Sequence, residues 1–250
     1  MAQNILVLGA TGTVGGAVVR RLAEDNSVRV FAAVRNLEKG AFPDGVERRY
    51  LPYDEPESYA AAFAEIDRLF VIAPAIYEHD IVSEFKQLID AAQHAGVRHI
   101  VASTALGITY APDSDLFKIE QHIRDTAPRF TFLRPNFYSQ NYVTYDYQAL
   151  QHGVIALPAN EGTASNIDVR DIAEVAAQAL TSEAHYGKEY ELTGPDALTQ
   201  TQIAEIISEV SGRAIQYTNP SSEEYKQTLQ SYGMSAHAAE HMDGVYAMIR

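Results

Sequence analysis

The sequence predicts an α/β fold: a doubly wound parallel sheet with a small C-terminal α/β lobe. Three observations carry this. Short apolar runs alternate with stretches of helical apolar spacing over the first ~135 residues. A cluster of glycines stands between the first apolar run and the first helical stretch. Later in the chain helical patterning persists but the regular alternation is lost.

Residues 5–8, Ile-Leu-Val-Leu, are continuously apolar, as suits a strand buried on both faces. Residues 14–22 then repeat apolar side chains at helical spacing. Further strands are expected at 28–34, 46–51, 67–72, 97–103 and 129–133, and helices at 56–63, 80–95 and 115–125. Pro74 and Pro135 stop strands four and six, and Gly96 supplies the left-handed residue that ends the long helix. Right-handed crossovers make such an alternation a parallel sheet covered on both faces. Beyond it a helix is expected at 168–180 and a strand at 188–193 before Gly194-Pro195. A helix follows at 199–211, capped by Thr199 and ended by Gly212. A strand at 214–218 and helices at 222–231 and 235–249 complete the chain.

Composition narrows the function classes. Apolar residues make up 46% and charged residues 21% of 250, which is globular. Nineteen basic residues against 33 acidic ones give a net charge of −14, so phosphate would be repelled over most of the surface. Nucleic acid and anionic membrane are therefore not expected partners. No cysteine is present, which excludes disulfides, thiolate metal sites and a cysteine nucleophile. Met1-Ala2-Gln3-Asn4 carries no basic leader, and the apolar run after it is too short to span a membrane; a cytoplasmic protein is expected.

The strongest motif is Gly9-Ala10-Thr11-Gly12-Thr13-Val14-Gly15, set between the first strand and the first helix. Gly9 makes the tight turn, Gly12 lets the backbone approach a pyrophosphate, and Gly15 lets the helix pack close. The N–H groups at the helix start then face the diphosphate. No Gly-Lys-Ser/Thr follows, which disfavours ATP hydrolysis.

The second strand selects the dinucleotide. An NAD site usually carries an acid about 20 residues after the glycines. Here Arg35 follows Val34, and a guanidinium suits a 2′-phosphate, with Lys39 as a second cation. The expected cofactor is NADP(H). Other strand ends line the same crevice: Asp54, Ile72-Ala73-Pro74, Ser103-Thr104, and Arg134-Pro135-Asn136 with Phe137. Asp54 is read either as an acceptor for the adenine amine or as a turn-capping carboxylate. Ala73 and Pro74 are read as packing near the nicotinamide, Pro74 alternatively as a plain strand stop. Residues 1–150 are thus expected to form the dinucleotide-binding domain, with returning elements near 163–193, and 195–250 a small substrate lobe.

These residues resemble the NmrA-like branch of the atypical short-chain dehydrogenases, and within it the NADP-dependent triphenylmethane, azo-dye and quinone reductases. The likeness lies in Gly9 to Gly15, Val34-Arg35-Asn36 with Glu38-Lys39, Asp54 with Pro56-Glu57-Ser58, and Ala95-Gly96-Val97-Arg98-His99-Ile100. It continues in Phe132-Leu133-Arg134 leading to Tyr138, Asp171-Ile172-Ala173, Ile207-Ser208-Glu209-Val210-Ser211-Gly212, and Pro220 to Glu224. The resemblance implies a Rossmann domain, a small lobe over the nicotinamide, and two-electron reduction of a flat conjugated substrate by NADPH. Chains of that family usually run beyond the helix that here ends at Arg250, so two readings stand: a lobe truncated in the protein itself, or a sequence that stops short of the natural end.

Mainstream short-chain dehydrogenases use Tyr-x-x-x-Lys, the lysine lowering the tyrosine pKa. Lys118 instead has Ser114 four residues before it. With Glu120 as register mark, the two positions fall on Leu116 and Pro112. The expected acceptor is thus one that takes hydride without an enzymic acid, such as a quinone or dye, and no catalytic side chain is assigned. Tyrosines are abundant, 15 of 250. Phe137, Tyr138, Tyr142 and Tyr77 are read as planar-substrate contacts, or alternatively as loop aromatics packing on the lobe. No histidine has metal spacing: His237 and His241 lack the His-Glu-x-x-His pattern. The leading expectation is an NADPH-dependent reductase of conjugated acceptors. The alternative is a non-catalytic NADP(H)-binding redox sensor acting through a protein partner. A nucleotide-sugar epimerase would need the absent tyrosine–lysine pair. A homodimer is compatible with either leading reading.

Overall fold

The computed structural model describes residues 2–73, 80–144 and 146–250. In chain order these give β1 (Gln3–Val7), α1 (Thr13–Ala23), β2 (Val28–Val34), β3 (Glu47–Tyr50), α2 (Tyr59–Ala62), β4 (Arg68–Ile72), α3 (Ile81–His94) and β5 (His99–Ser103). Then come α4 (Asp115–Thr126), β6 (Phe130–Pro135), α5 (Tyr147–Gln151), β7 (Val154–Ala156), β8 (Thr163–Ala164) and α6 (Val169–Thr181). The last are β9 (Lys188–Leu192), β10 (Leu198–Thr199), α7 (Gln200–Ser211), β11 (Gln216–Thr218), α8 (Ser222–Ser231) and α9 (Ala236–Ala247). The expected helix at 56–63 is realised as a single 3₁₀ turn, Pro56–Ser58, followed by α2.

The chain folds into two compact units: Met1–Pro135 with Asp168–Leu192, and Asn136–Ile167 with Thr193–Arg250. Residues 136–150 therefore group with the smaller unit, not with the dinucleotide-binding segment expected to run to residue 150. The backbone shows why. Phe137 and Ser139 are held to Ile167, whose N–H donates to Phe137 O at 2.9 Å and whose carbonyl accepts from Ser139 N at 2.9 Å.

The larger unit is a seven-stranded parallel sheet in the order β3-β2-β1-β4-β5-β6-β9, as a doubly wound Rossmann-like fold requires. Helices α1 and α6 pack together, as do α3 with α2 and α4. The core joins Leu6, Phe31, Leu69, Ile100 and Phe132 of the strands to Phe63, Phe85, Leu88 and Ile123 of α2–α4 and the chain after α2. Alternation along β1 turns Ile5 and Val7, also fully buried, to the other face. At the amino edge, His99 is fully buried. Its Nε2 lies 2.9 Å from Thr131 Oγ1, which itself donates to His185 O at 2.7 Å, so Nε2 carries the proton. Burial first, then the cations Arg68 and Arg129 and nearby His185, push the His99 pKa down to about 3.

The smaller unit contains two short ribbons, parallel β7–β11 and antiparallel β8–β10. Its core is aromatic and aliphatic: Tyr142, Leu150, Ile155, Leu157, Ile203, Ile215, Tyr225 and Tyr246. Capping boxes start α7 (Thr199 with Gln202) and α8 (Ser221 with Glu224).

Candidate functional site

Parallel pairing sets the carboxyl ends of β1, β2, β4, β5 and β6 along one edge of the sheet. The strand order reverses direction between β1 and β4, the place where such sheets bind ligands. The glycine turn lies there. Gly9 has φ +65°, and a Cβ on it would stand 2.7 Å from Ile72 Cγ2. Gly12 N donates to Gly9 O at 2.8 Å, closing the turn. A Cβ on Gly15 would meet Gly9 O at 2.3 Å, so only glycine lets α1 start this close to β1. Ala10 and Val14 are buried beneath, while Thr11, Gly12 and Thr13 are exposed. Helix α1 begins at Gly12 with no side-chain cap and no acid in its first turn. Its open N–H groups suit an anion.

Arg35 leaves β2 into solvent and makes no hydrogen bond or ion pair among the described residues. Its charge acts on the Tyr53 hydroxyl, opposing the rise that burial causes there, which places it towards the loop after β3. Asn36 Oδ1 accepts from Glu38 N at 2.8 Å, and its carbonyl from Lys39 N at 3.1 Å. This turn leads to Gly40, where a Cβ would stand 3.1 Å from Thr11 Cγ2, so the loop after β2 folds back against the glycine turn. Lys39 is exposed and unpaired among the described residues, and Asp54 is exposed in the turn after β3. Ile72 packs on Gly9 and Ala73 is half-buried. Pro74 and Tyr77 lie outside the described residues. Ser103, at the end of β5, is buried with no hydrogen-bond partner for its hydroxyl among the described residues.

Arg134 corrects one expectation. It does not line the crevice; its guanidinium is buried, with Nε 3.1 Å from Glu120 Oε1 and Nη2 2.6 Å from Oε2. Thr104 Oγ1 donates to the same carboxylate at 2.6 Å, and Glu189 closes on Arg134 at 2.8 Å. Sequence reasoning missed this network. Its trace was a glutamate on the Ile119–Ile123 face of α4 and an arginine inside an apolar strand, two opposite charges at core positions. Lys118 is spent on Asp115 at 3.2 Å, consistent with the absence of a tyrosine–lysine relay.

In the smaller unit, Pro135 leads to half-buried Asn136, whose Oδ1 accepts from Phe137 N at 2.8 Å. Phe137 stacks on Tyr246 with centroids 5.6 Å apart and rings inclined by 19°. Tyr138 is half-buried and bridges to Ile167. Tyr142 is a core residue: it is 7% exposed, and its hydroxyl donates to Gln200 Oε1 at 2.8 Å. Burial pushes the Tyr142 pKa up to about 12, so the ring is spent on packing rather than presented to a ligand. Among the described residues no group of three His, Asp or Glu is arranged to hold a metal. No helix among them is long and apolar enough to cross a membrane.

A family model described as the NmrA-like family matches residues 1–249. The chain belongs to the NmrA-like family. This NmrA-like protein is 36% identical over 252 residues to an NAD(P)H azoreductase of Xenophilus azovorans, covering 98% of this chain and 86% of the relative. It is 30% identical over 239 residues to quinone oxidoreductase 2 of Escherichia coli, covering 92% and 82%. The crystal structure of Citrobacter sp. triphenylmethane reductase complexed with NADP(H) has a TM-score of 0.85 at 30% identity, covering 98% of this NmrA-like chain and 89% of that one.

Proposed function

We propose that this NmrA-like protein is an NADPH-dependent reductase that delivers hydride directly to a conjugated small-molecule acceptor such as a quinone or dye. The observation that carries the reading is the pairing of an uncapped α1 N-terminus, reached through Gly9 and Gly15, with unpaired Arg35 in the place of an acid. The residues fit NADP(H). Gly9, Ala10, Thr11, Gly12, Thr13, Val14 and Gly15 would cradle the diphosphate, and Arg35 with Lys39 the 2′-phosphate. Asp54 is assigned to the adenine side, Ile72, Ala73 and Ser103 to the nicotinamide side, and Pro135, Asn136 and Phe137 to the chain leaving β6. The cofactor supplies the hydride. The protein binds and orients it, and no side chain is asked to donate a proton. Relatives named as azo, quinone and triphenylmethane reductases support the acceptor class. Phe137 and Tyr138 are the aromatic groups we assign to acceptor contact.

The test is NADPH oxidation at 340 nm with a panel of quinones, azo dyes and triphenylmethane dyes, with NADH in parallel. Acceptor-dependent loss of absorbance, faster with NADPH, is expected. Tight NADPH binding without turnover across the panel would overturn the reading and favour a non-catalytic cofactor sensor.

A further inference from the structure

Glu120 is fully buried on α4, and its carboxylate is a shared acceptor. Its Oε1 accepts from Thr104 Oγ1 at 2.6 Å and from Arg134 Nε at 3.1 Å, and its Oε2 accepts from Arg134 Nη2 at 2.6 Å. Thr104 is the first residue after β5, and Arg134 the last but one of β6. One carboxylate thus ties the carboxyl ends of two neighbouring strands to the helix beside them. Alternation explains the facing: Ile100, Ala102 and Phe132 point into the core under α2–α4, and Thr104 and Arg134 continue their rows. The backbone is fixed at the same place. Thr104 N donates to Leu133 O at 2.9 Å and Leu106 N to Pro135 O at 2.9 Å, so pairing runs on past the end of β5. Glu189 of β9 closes on Arg134 at 2.8 Å and is itself held by Arg124 at 2.6 Å.

Stability alone does not call for this device, since a well-packed apolar pair often matches or exceeds a buried ion pair. What apolar packing lacks is direction. A forked guanidinium–carboxylate pair, with a hydroxyl on the same oxygen, fixes distances and angles together. The bonds lie at the edge of the sheet where such folds bind ligands, and they hold the residues next in sequence to Ser103 and Pro135. We propose that Glu120 is a positioning residue: through Thr104 and Arg134 it fixes the strand ends carrying Ser103 and Pro135, and so orients the nicotinamide half of the cofactor. Glu120 lies too deep to touch the cofactor and acts only through these strand ends. The proposal rests on the reductase reading for the hydride step, but the orientation it describes is measurable without turnover.

The experiment compares the affinity of the full chain for NADPH with that for 2′-phospho-ADP-ribose, and measures kcat and KM for a quinone. The two ligands share the diphosphate and the 2′-phosphate, so their affinity ratio isolates the nicotinamide half. Thr104→Val keeps the side-chain shape and removes the donated bond. It should lower the NADPH-to-fragment ratio, leave the fragment's own affinity unchanged, and lower kcat roughly tenfold to a hundredfold with little change in KM, as misplacement of reacting groups does. Thr104→Ser, which keeps the hydroxyl, should restore both readouts. The double change Arg134→Met, Glu120→Leu should recover stability yet keep the low ratio, which a merely structural pair would not. Thr131→Val removes a buried hydroxyl bond of 2.7 Å at the opposite end of β6, and should lower stability while leaving the ratio unchanged. An unchanged ratio in Thr104→Val would overturn the proposal, as would an equal fall in Thr131→Val, which would trace the loss to a loosened fold. An unmodified protein that binds the two ligands equally would overturn it too, because no nicotinamide contact would then exist to orient. Absence of turnover with every acceptor would remove the reductase reading alone, and the affinity ratio would still uphold or overturn the role of Glu120.

Discussion

Among the described helices of ten residues or more, the starts divide sharply. α3, α4, α6, α7, α8 and α9 begin on Asp80, Ser114, Asp168, Thr199, Ser221 and Ser235, each accepting a backbone N–H of the first turn. α1 begins on Gly12 and is closed by no side chain. The two units differ in another way, since side-chain caps occur in both. The smaller one is held by caps, tyrosine hydroxyl bonds and ring stacking on small secondary elements. The larger has a core of strands and leaves the start of α1 open. Among these longer helices the difference separates structure from function: six starts are closed by a side chain, and where N–H groups are left open at a strand end, a ligand is the natural acceptor.

The most severe way to break this contrast is Gly15→Val. Its Cβ would fall 2.3 Å from Gly9 O and 2.9 Å from Leu8 O, both backbone atoms. NADPH binding should be lost altogether by fluorescence titration, with the melting temperature lowered. Retained binding would show that α1 can withdraw from β1 without harm to the site.

Next comes the buried pair. Arg134→Met leaves Glu120, 0% exposed, with Thr104 alone, and should cost about 3–5 kcal/mol in urea unfolding. The double change Arg134→Met, Glu120→Leu should recover most of that, because a well-packed apolar pair avoids the dehydration of both charges. If the double variant is no more stable than the single one, the pair has a role beyond neutralising itself.

His99 probes the amino edge of the same sheet. Its folded pKa, about 3, lies below the unfolded value near 6.5, so the unfolded chain takes up the proton first. Stability is unaffected above about pH 6.5 and should fall by about 1.4 kcal/mol per pH unit below it, down to the folded pKa. Between pH 6.5 and 4.5 the wild type should lose about 2–3 kcal/mol relative to His99→Gln. That variant retains Asp146, whose raised pKa works in the opposite direction, so the difference isolates the histidine.

Arg35→Glu sharpens the cofactor side. A carboxylate facing the 2′-phosphate should weaken NADPH on the order of tenfold to a hundredfold and leave NADH within a few-fold. Equal loss for both cofactors would remove Arg35 from the phosphate site.

How much of this was legible in the sequence follows the same divide. The central strands of the larger unit contain apolar runs such as 5–8 and 30–34, because burial on both faces leaves no alternation to misread, whereas the edge strands β3 and β9 carry charges. The glycine turn was legible because steric closeness admits only one residue type. β7, β8, β10 and α5 left no periodicity, since two to five residues form too short a pattern and their pairing is fixed by distant partners such as β11. Arg134 and Tyr142 were placed correctly along the chain but not in depth: sequence position after a strand does not reveal which way a side chain turns.

The mildest test returns to the caps. Thr199 accepts from Gln202 N at 3.2 Å, while Gln202 Oε1 accepts from Thr199 N at 2.9 Å, so one threonine organises both bonds of the α7 box. Thr199→Ala removes the first bond and should cost about 1 kcal/mol in urea unfolding. Thr199→Asp should restore most of it, since an aspartate fills the same position and adds charge at the positive end of the helix. Neither change should alter NADPH affinity, because the diphosphate cradle belongs to α1. An effect of Thr199→Ala on cofactor binding as large as its effect on unfolding would mean that the capped start of α7 and the open start of α1 are not independent.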